Sequence, residues 1–184
     1  AFSGCSSLAS LTLPEGLREM GSGAFDGCPV ESVTVPASLE STGGGRWWAS
    51  GPFAGSSLRS ATLAEGSARV APGLFSGCSK LSSVSVPGTV ASVGEYAFRG
   101  CSGLPASLEV PPSVRELRDC AYEGCASLES VALPDRLERV GASAFKGCSS
   151  LASVTLPASV ARVGDGAFSG CSSLASLTLP EGLR

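Results

Sequence analysis

Cysteine is the residue type of this 184-residue chain with the widest chemistry, because a thiol can form a disulfide, bind a metal ion or act as a nucleophile. Seven of the eight cysteines recur at one position of a sequence period, and the eighth is Cys120. The recurring ones are Cys5, Cys28, Cys78, Cys101, Cys125, Cys148 and Cys171. The chain has no C-x-x-C pair and no histidine, so we expect no metal site and no other cofactor.

The same period bears on whether these thiols are paired. If the chain stacks at this period, successive cysteines lie about 5 Å apart, with side chains that run parallel rather than towards one another. Such a column favours free thiols that fill a buried turn as small apolar groups. Cys120 and Cys125, which flank Tyr122, form the one pair that a disulfide could join.

The remaining composition argues against catalysis and against two kinds of partner. Histidine, asparagine and glutamine are absent, and no nucleophile–base pair, carboxylate dyad or phosphate loop stands out, so we expect no enzyme. Lysine and arginine number 13 against 16 acidic residues, a net charge of −3, which does not predict a nucleic-acid surface. No apolar run approaches the roughly 18 residues of a membrane helix, so no membrane span is predicted.

Hydroxyl side chains recur at two positions of the same period. The first position holds serine in all repeats, namely Ser10, Ser32, Ser60, Ser83, Ser107, Ser130, Ser153 and Ser176. The second, two residues later, holds Thr12, Thr34, Thr62, Ser85, Glu109, Ala132, Thr155 and Thr178. Alternate residues of a strand share a face, so stacked strands would form a grid with spacings of about 6.6 and 4.8 Å. The grid predicts a binding face for a protein partner, and it is also similar to the Thr-x-Thr rows of ice-binding solenoids.

A second candidate contact site is the Gly-rich insertion at residues 43–51, which contains Arg46, Trp47 and Trp48. Tryptophan and arginine dominate interface hot spots, and inserted loops commonly carry function. The alternative is that one or both rings cover the weakest repeat, which follows the insertion. We expect the loosest packing of the chain near residues 43–72.

All of these positions are set by a repeat. Aromatic residues fall at Phe2, Phe25, Phe53, Phe75, Phe98, Tyr122, Phe145 and Phe168, in steps of 23, 28, 22, 23, 24, 23 and 23 residues. Each unit carries six apolar columns, too many for 23 residues to bury alone, so stability must come from stacking. The segment Ser10–Leu13 and its equivalents alternate polar and apolar residues, which predicts one short strand per unit, ended in most units by proline.

The predicted fold is therefore a repeat solenoid of about eight coils. It has a parallel β-sheet on one face, and turns with irregular or short 3-10 arcs on the other. A glycine recurs two residues after each aromatic, which indicates either a positive φ or coils too close for a Cβ.

The repeat also resembles a known family. The string L-x-x-L-x-L at Leu8–Leu13 is the core of a leucine-rich repeat, and A-F-x-G-C-x-x-L-x-x-[LV]-x-[LV]-P at residues 1–14, 144–157 and 167–180 resembles the BspA-like subclass. The resemblance covers essentially the whole chain. It implies a non-catalytic solenoid used for protein–protein contact, often as a cell-surface adhesin. Location stays open, because the resemblance suggests a surface or secreted protein, whereas free thiols suit an intracellular compartment equally.

Residues 1–18 and 167–184 are identical. From this duplication, and from the lack of polar capping repeats, we expect residues 1–184 to form a single solenoid that is an interior fragment of a longer array. End-to-end continuation with further repeats gives a second interpretation, in which the chain is a structural spacer within a larger assembly.

Overall fold

In a computed structural model the chain is described over residues 1–43 and 50–181, and every regular element there is a short parallel strand. The strands are β1 (Glu19–Met20), β2 (Ser32–Val35), β3 (Ser41–Thr42), β4 (Ser60–Leu63), β5 (Arg69–Val70), β6 (Ser83–Ser85), β7 (Ser92–Val93), β8 (Ser107–Glu109), β9 (Glu116–Leu117), β10 (Ser130–Ala132), β11 (Arg139–Val140), β12 (Ser153–Thr155), β13 (Arg162–Val163) and β14 (Ser176–Thr178). Even-numbered and odd-numbered strands stack in two separate rows. The predicted solenoid fold is confirmed.

The even-numbered row is the predicted strand row. It forms a three-stranded sheet β2-β4-β6 and a four-stranded sheet β8-β10-β12-β14, all parallel and paired serine to serine. The inward residues Val33, Ala61, Val131 and Val154 are buried and the outward ones are mostly exposed, which is why these segments alternate in sequence.

Two details of the predicted strands are wrong. Ser10–Leu13 forms no strand, although its hydroxyls face solvent, because no ladder pairs this segment with β2. The return side was expected to contain only turns and irregular or 3-10 arcs, but its two-residue strands form a second parallel row, continuous from β5 to β13. A two-residue strand leaves no alternation in sequence that could reveal it.

The aromatic residues form a stacked column through the interior. Ring centroids of successive members lie 5.0 to 5.5 Å apart wherever the pair is described, with nearly parallel planes in most pairs. At six of the seven steps the aromatic residue also donates its N–H to the next coil, as where Phe145 N–H donates to Ala167 O at 2.8 Å. Phe98 and Phe145 are both buried. In the third repeat, for which the loosest packing is expected, Phe53 and Leu58 are fully buried.

The recurrent glycine after each aromatic is required by backbone conformation. All eight have positive φ, and Gly147 is typical, with φ +73° and only ordinary contact at 3.8 Å for an added Cβ. Space decides at Gly164 instead, where the φ is ordinary but an added Cβ would lie 2.3 Å from Ala142 N. Positive φ therefore explains the glycine that follows each aromatic residue, whereas lack of space for a Cβ explains the glycine at the position of Gly164.

Replacing Phe145 by alanine should lower the free energy of unfolding by about 3–5 kcal/mol, because this ring is fully buried between Tyr122 and Phe168. The matched variant Phe2→Ala removes a ring that is 50% exposed and stacked on one side only, and should cost clearly less. Urea unfolding followed by circular dichroism measures both. Equal losses would contradict the stacked column as a source of stability.

Alanine at the two kinds of glycine should separate strain from crowding. Gly147→Ala should cost about 1–2 kcal/mol through the left-handed backbone alone, whereas Gly164→Ala must move the neighbouring coil and should cost more. Gly88→Ala, with ordinary φ and open space, is the control and should be near neutral. Thermal unfolding ranks the three variants, and a Gly88→Ala loss as large as the others would refute this assignment.

Candidate binding face

The even-numbered strands present a surface rich in hydroxyl groups, here called the hydroxyl face. It comprises the outward residues of β2, β4, β6, β8, β10, β12 and β14, which are serine or threonine except for Glu109 and Ala132. In register, Thr34 faces Thr62 and Thr155 faces Thr178 on adjacent strands. Of the predicted contact residues, Ser10 and Thr12 lie outside this sheet. Arg46, Trp47 and Trp48 fall outside the described residues.

The hydroxyl face is interrupted between β6 and β8. These strands are sequence neighbours in the row, yet no ladder joins them among residues 1–43 and 50–181. The cause lies in the fifth repeat, where Leu104 is followed by Pro105 and Ala106 before the strand begins, whereas Leu151 is followed by Ala152 alone. The extra residue offsets β8, and proline has no N–H to donate.

The interruption opens a groove, here called the β6–β8 groove, with a volume of about 380 Å³. The inward residues Val84 and Leu108 are half-exposed there, in contrast to their buried equivalents Val131 and Val154. Beneath them the lining reaches the core at Phe98. Sequence reasoning missed this groove. Its one signal in the sequence is the extra residue at Pro105, which marks a change of length but does not show that a ladder breaks there.

The opposite surface is charged. On the odd-numbered row, Arg115 pairs with Glu138 at 3.0 Å, and Arg139 pairs with Glu116 at 3.3 Å and with Asp119 at 3.7 Å. Each of these contacts joins one coil to the next. The sequence indicated a solvated charged face, and opposite charges 23 residues apart were the signal for these cross-coil pairs. Because they are well exposed, each contributes little to stability.

The recurrent cysteines are free thiols that join adjacent coils by hydrogen bonds. Except for the exposed Cys5, they are buried, and each donates from Sγ to the carbonyl of the aromatic residue one coil earlier, as Cys101 does to Phe75 O at 3.1 Å. The same bond is made by Cys28, Cys78, Cys125, Cys148 and Cys171. Ser56 holds this position in the third repeat and donates instead to Phe53 O within its own coil.

Burial suppresses the reactivity of this column. Desolvation raises the pKa of Cys78 and of Cys148 to about 12, and it raises the pKa of Cys101 and Cys125 well above the usual range. A thiol that stays protonated at neutral pH is a poor nucleophile and a poor metal ligand. The geometry suits cohesion between coils rather than chemistry.

The disulfide considered between Cys120 and Cys125 is not formed, and both are free thiols. Cys120 lies instead close to Tyr96 of the previous coil, and desolvation by burial raises the pKa of both side chains. Both residues have positive φ, at +56° and +57°, as does Ser143 in the following coil at +54°. Three adjacent coils thus have a non-glycine residue with positive φ at a position that glycine occupies in other coils, as Gly23, Gly73 and Gly166 do.

In the part of the chain that the structure describes, no three histidine, cysteine, aspartate or glutamate side chains are grouped so as to hold a metal ion. Nor does this part contain a helix with the length and apolar character that crossing a membrane would require.

Two rows of parallel strands, stacked at a period near 23 residues on a column of aromatic rings, define a leucine-rich β-solenoid. The family described as "BspA type Leucine rich repeat region" matches residues 1–105 and 104–184, with six copies. The chain therefore belongs to the BspA-type leucine-rich repeat family. No curated protein matches it in sequence.

Solved structures from several bacteria share the fold. A leucine-rich repeat protein of Bacteroides ovatus is 28% identical, with a TM-score of 0.71 over 91% of this chain and 42% of its own. The T. pallidum leucine-rich repeat protein is 27% identical, with a TM-score of 0.61 over 94% of this chain and 71% of its own. The pneumococcal vaccine antigen PcpA, at 18% identity and a TM-score of 0.51 over 90% of this chain and 55% of its own, is similar in fold. The chain thus spans less than half of the Bacteroides protein.

The thiol column should make stability fall at alkaline pH. Thiols ionise near pH 9 in the unfolded chain, but Cys78 and Cys148 stay protonated until about pH 12 when folded. Between these values the unfolded state binds fewer protons, so the free energy of unfolding decreases as pH rises. Urea unfolding at pH 7, 9 and 10.5 measures the decrease. The Cys78→Ala/Cys148→Ala variant should show a shallower decrease, and an unchanged slope would count against this assignment.

Proposed function

We propose that this chain is a non-catalytic protein-recognition module that contacts its partner through the hydroxyl face and the segment around Arg46, Trp47 and Trp48. The observation that carries the proposal is the division of the surface, with hydroxyls in register on one row and paired charges on the other. Serine and threonine side chains can donate and accept hydrogen bonds, and their short side chains lose little entropy on contact.

Several features support this surface as the contact side. The hydroxyl face carries one charged residue, Glu109, so a partner needs to displace few strongly hydrated groups there. The leucine-rich repeat fold is typically non-catalytic, and membership of this family is consistent with a binding or scaffolding role. The two tryptophans add the residue type that most often anchors an interface.

Two alternatives differ in what they require of the same surface. A structural spacer needs the coils to stack but needs neither exposed hydroxyls nor tryptophans. An ice or crystal-surface binder needs an unbroken flat grid, whereas this grid is interrupted between β6 and β8 and contains Glu109 beside the interruption. The interruption leaves protein recognition as the function that the geometry favours.

Placing two arginines on the hydroxyl face should weaken partner binding about tenfold or more, because charged side chains would have to be desolvated at each site. The face variant is Thr155→Arg/Thr178→Arg, and the matched control is Ala91→Arg/Ala161→Arg, which adds the same charge to exposed positions of the odd-numbered row. A third variant, Trp47→Ala/Trp48→Ala, tests the insertion.

The assay is affinity capture from an extract of the producing cells, with each captured protein quantified across the variants. Protein recognition predicts one captured protein that is lost in the face and tryptophan variants and retained in the control. Capture that is equal in all variants indicates a spacer and refutes the proposal. Thermal hysteresis in freezing solution that disappears only in the face variant would refute it in favour of ice binding.

A further inference from the structure

The β6–β8 groove is an apolar site on an otherwise polar surface. Val84 and Leu108 form its half-exposed walls, and Val93, Phe98 and Tyr122 lie beneath them at the edge of the core. At about 380 Å³ the groove is within the size range of ligand sites, which is about 300–1,000 Å³. It has room for a bulky apolar side chain that enters between the two strands.

The strand edges that flank the groove have free hydrogen-bonding groups. At three other junctions the first serine of the strand donates its N–H to the coil before, as Ser83 does to Arg59 O, and at two more the preceding alanine, Ala152 or Ala175, donates instead. Within residues 1–43 and 50–181, neither Ala106 nor Ser107 donates such a bond. Ala106 and Val110 bond towards β10, so the alternate residues Ser107 and Glu109 direct their N–H and C=O groups towards the groove. An extended peptide can pair with such an edge.

The charge at the rim indicates what should neighbour the apolar side chain. Glu109 is the one charged residue that lines the groove. In the described part of the chain its carboxylate is in no ion pair, whereas Glu116 and Glu138 of the odd-numbered row are paired. It also occupies the position where other strands of the hydroxyl face carry serine, threonine or alanine. A lysine or arginine would complement it.

From these observations we propose that the β6–β8 groove binds an extended segment of a protein partner. The segment inserts one bulky apolar side chain between β6 and β8, places a lysine or arginine at Glu109, and pairs its backbone with the edge of β8. This inference rests on the proposed function, since it assigns the partner chemistry to one place on the hydroxyl face.

The proposal can be tested without the natural partner, by using blocked six-residue peptides and NMR of the isotopically labelled chain. The reference peptide has a phenylalanine followed by a lysine, with serines at the other positions. In one comparison peptide alanine replaces phenylalanine, and in the other glutamate replaces lysine. The reference peptide should shift the amide signals of Val84, Ser107 and Glu109. Each replacement should weaken binding, roughly tenfold for the loss of the buried ring.

Three variants of the chain locate the site. Deletion of Pro105 restores Leu-Ala-Ser, the spacing at Leu151–Ser153, and should close the groove and abolish the peptide shifts. Ser107→Trp should block the groove, while Ser173→Trp, the same substitution at an exposed turn serine outside the hydroxyl face, is the matched control and should leave the shifts unchanged. Glu109→Gln should remove the preference for lysine over glutamate and leave the folded spectrum intact.

The outcomes are distinct. Shifts that persist after both Pro105 deletion and Ser107→Trp, or that are equal for all peptides, overturn the proposal. If phenylethylamine alone binds as well as the reference peptide, the groove is a small-molecule pocket and the proposal is wrong. If the peptides do not bind but the arginine substitutions on the hydroxyl face still abolish partner capture, the groove proposal is refuted and the proposed function stands. Equal capture by those arginine variants refutes the proposed function whatever the peptides do.

Discussion

The structure depends on contact between each coil and the next. A 23-residue unit cannot enclose its own apolar side chains, so each ring, thiol and strand finds its partner one coil away. At the aromatic column the ring of Phe145 stacks on the rings of Tyr122 and Phe168. The backbone N–H of Phe145 donates to Ala167 O, and its backbone carbonyl accepts a hydrogen bond from the thiol of Cys171. Dispersion, backbone hydrogen bonding and thiol bonding therefore act at the same step and enforce the same period.

The same constraint explains what could be predicted from the sequence. The aromatic, cysteine and serine columns each have nearly the same environment in the interior coils, so their recurrence alone predicts a solenoid and places Phe98 and Phe145 inside. The second row of strands could not be predicted, because pairs such as Arg139–Val140 are too short to show a period. The explanation of the two glycine columns also needed backbone angles, since positive φ at Gly147 and crowding at Gly164 both appear in the sequence simply as a recurrent glycine.

The candidate site was predictable in its outline but not in its detail. Outward serines and threonines could be assigned from strand alternation. The gap between β6 and β8 could not, because an extra residue at Pro105 could equally have been absorbed in the turn. The third repeat, for example, is one residue short between Ser56 and Ser60, and the β4–β6 ladder still forms. Whether a length change breaks a ladder depends on where the backbone can relax, and that is a property of the packed coils.

The gap between β6 and β8 also affects how cooperatively the coils unfold. In a linear array the cooperativity of unfolding depends on each junction between neighbours. Where β6 and β8 fail to pair, the β7–β9 ladder and the stacked rings of Phe98 and Tyr122 still hold the junction, but one of its two ladders is missing. The coils on the two sides of this gap are thereby coupled less tightly than coils that two ladders join, and the same holds in the odd-numbered row where β3 and β5 are unpaired in the described part of the chain. Fluctuations that separate the coils at the gap need not melt the coils on either side.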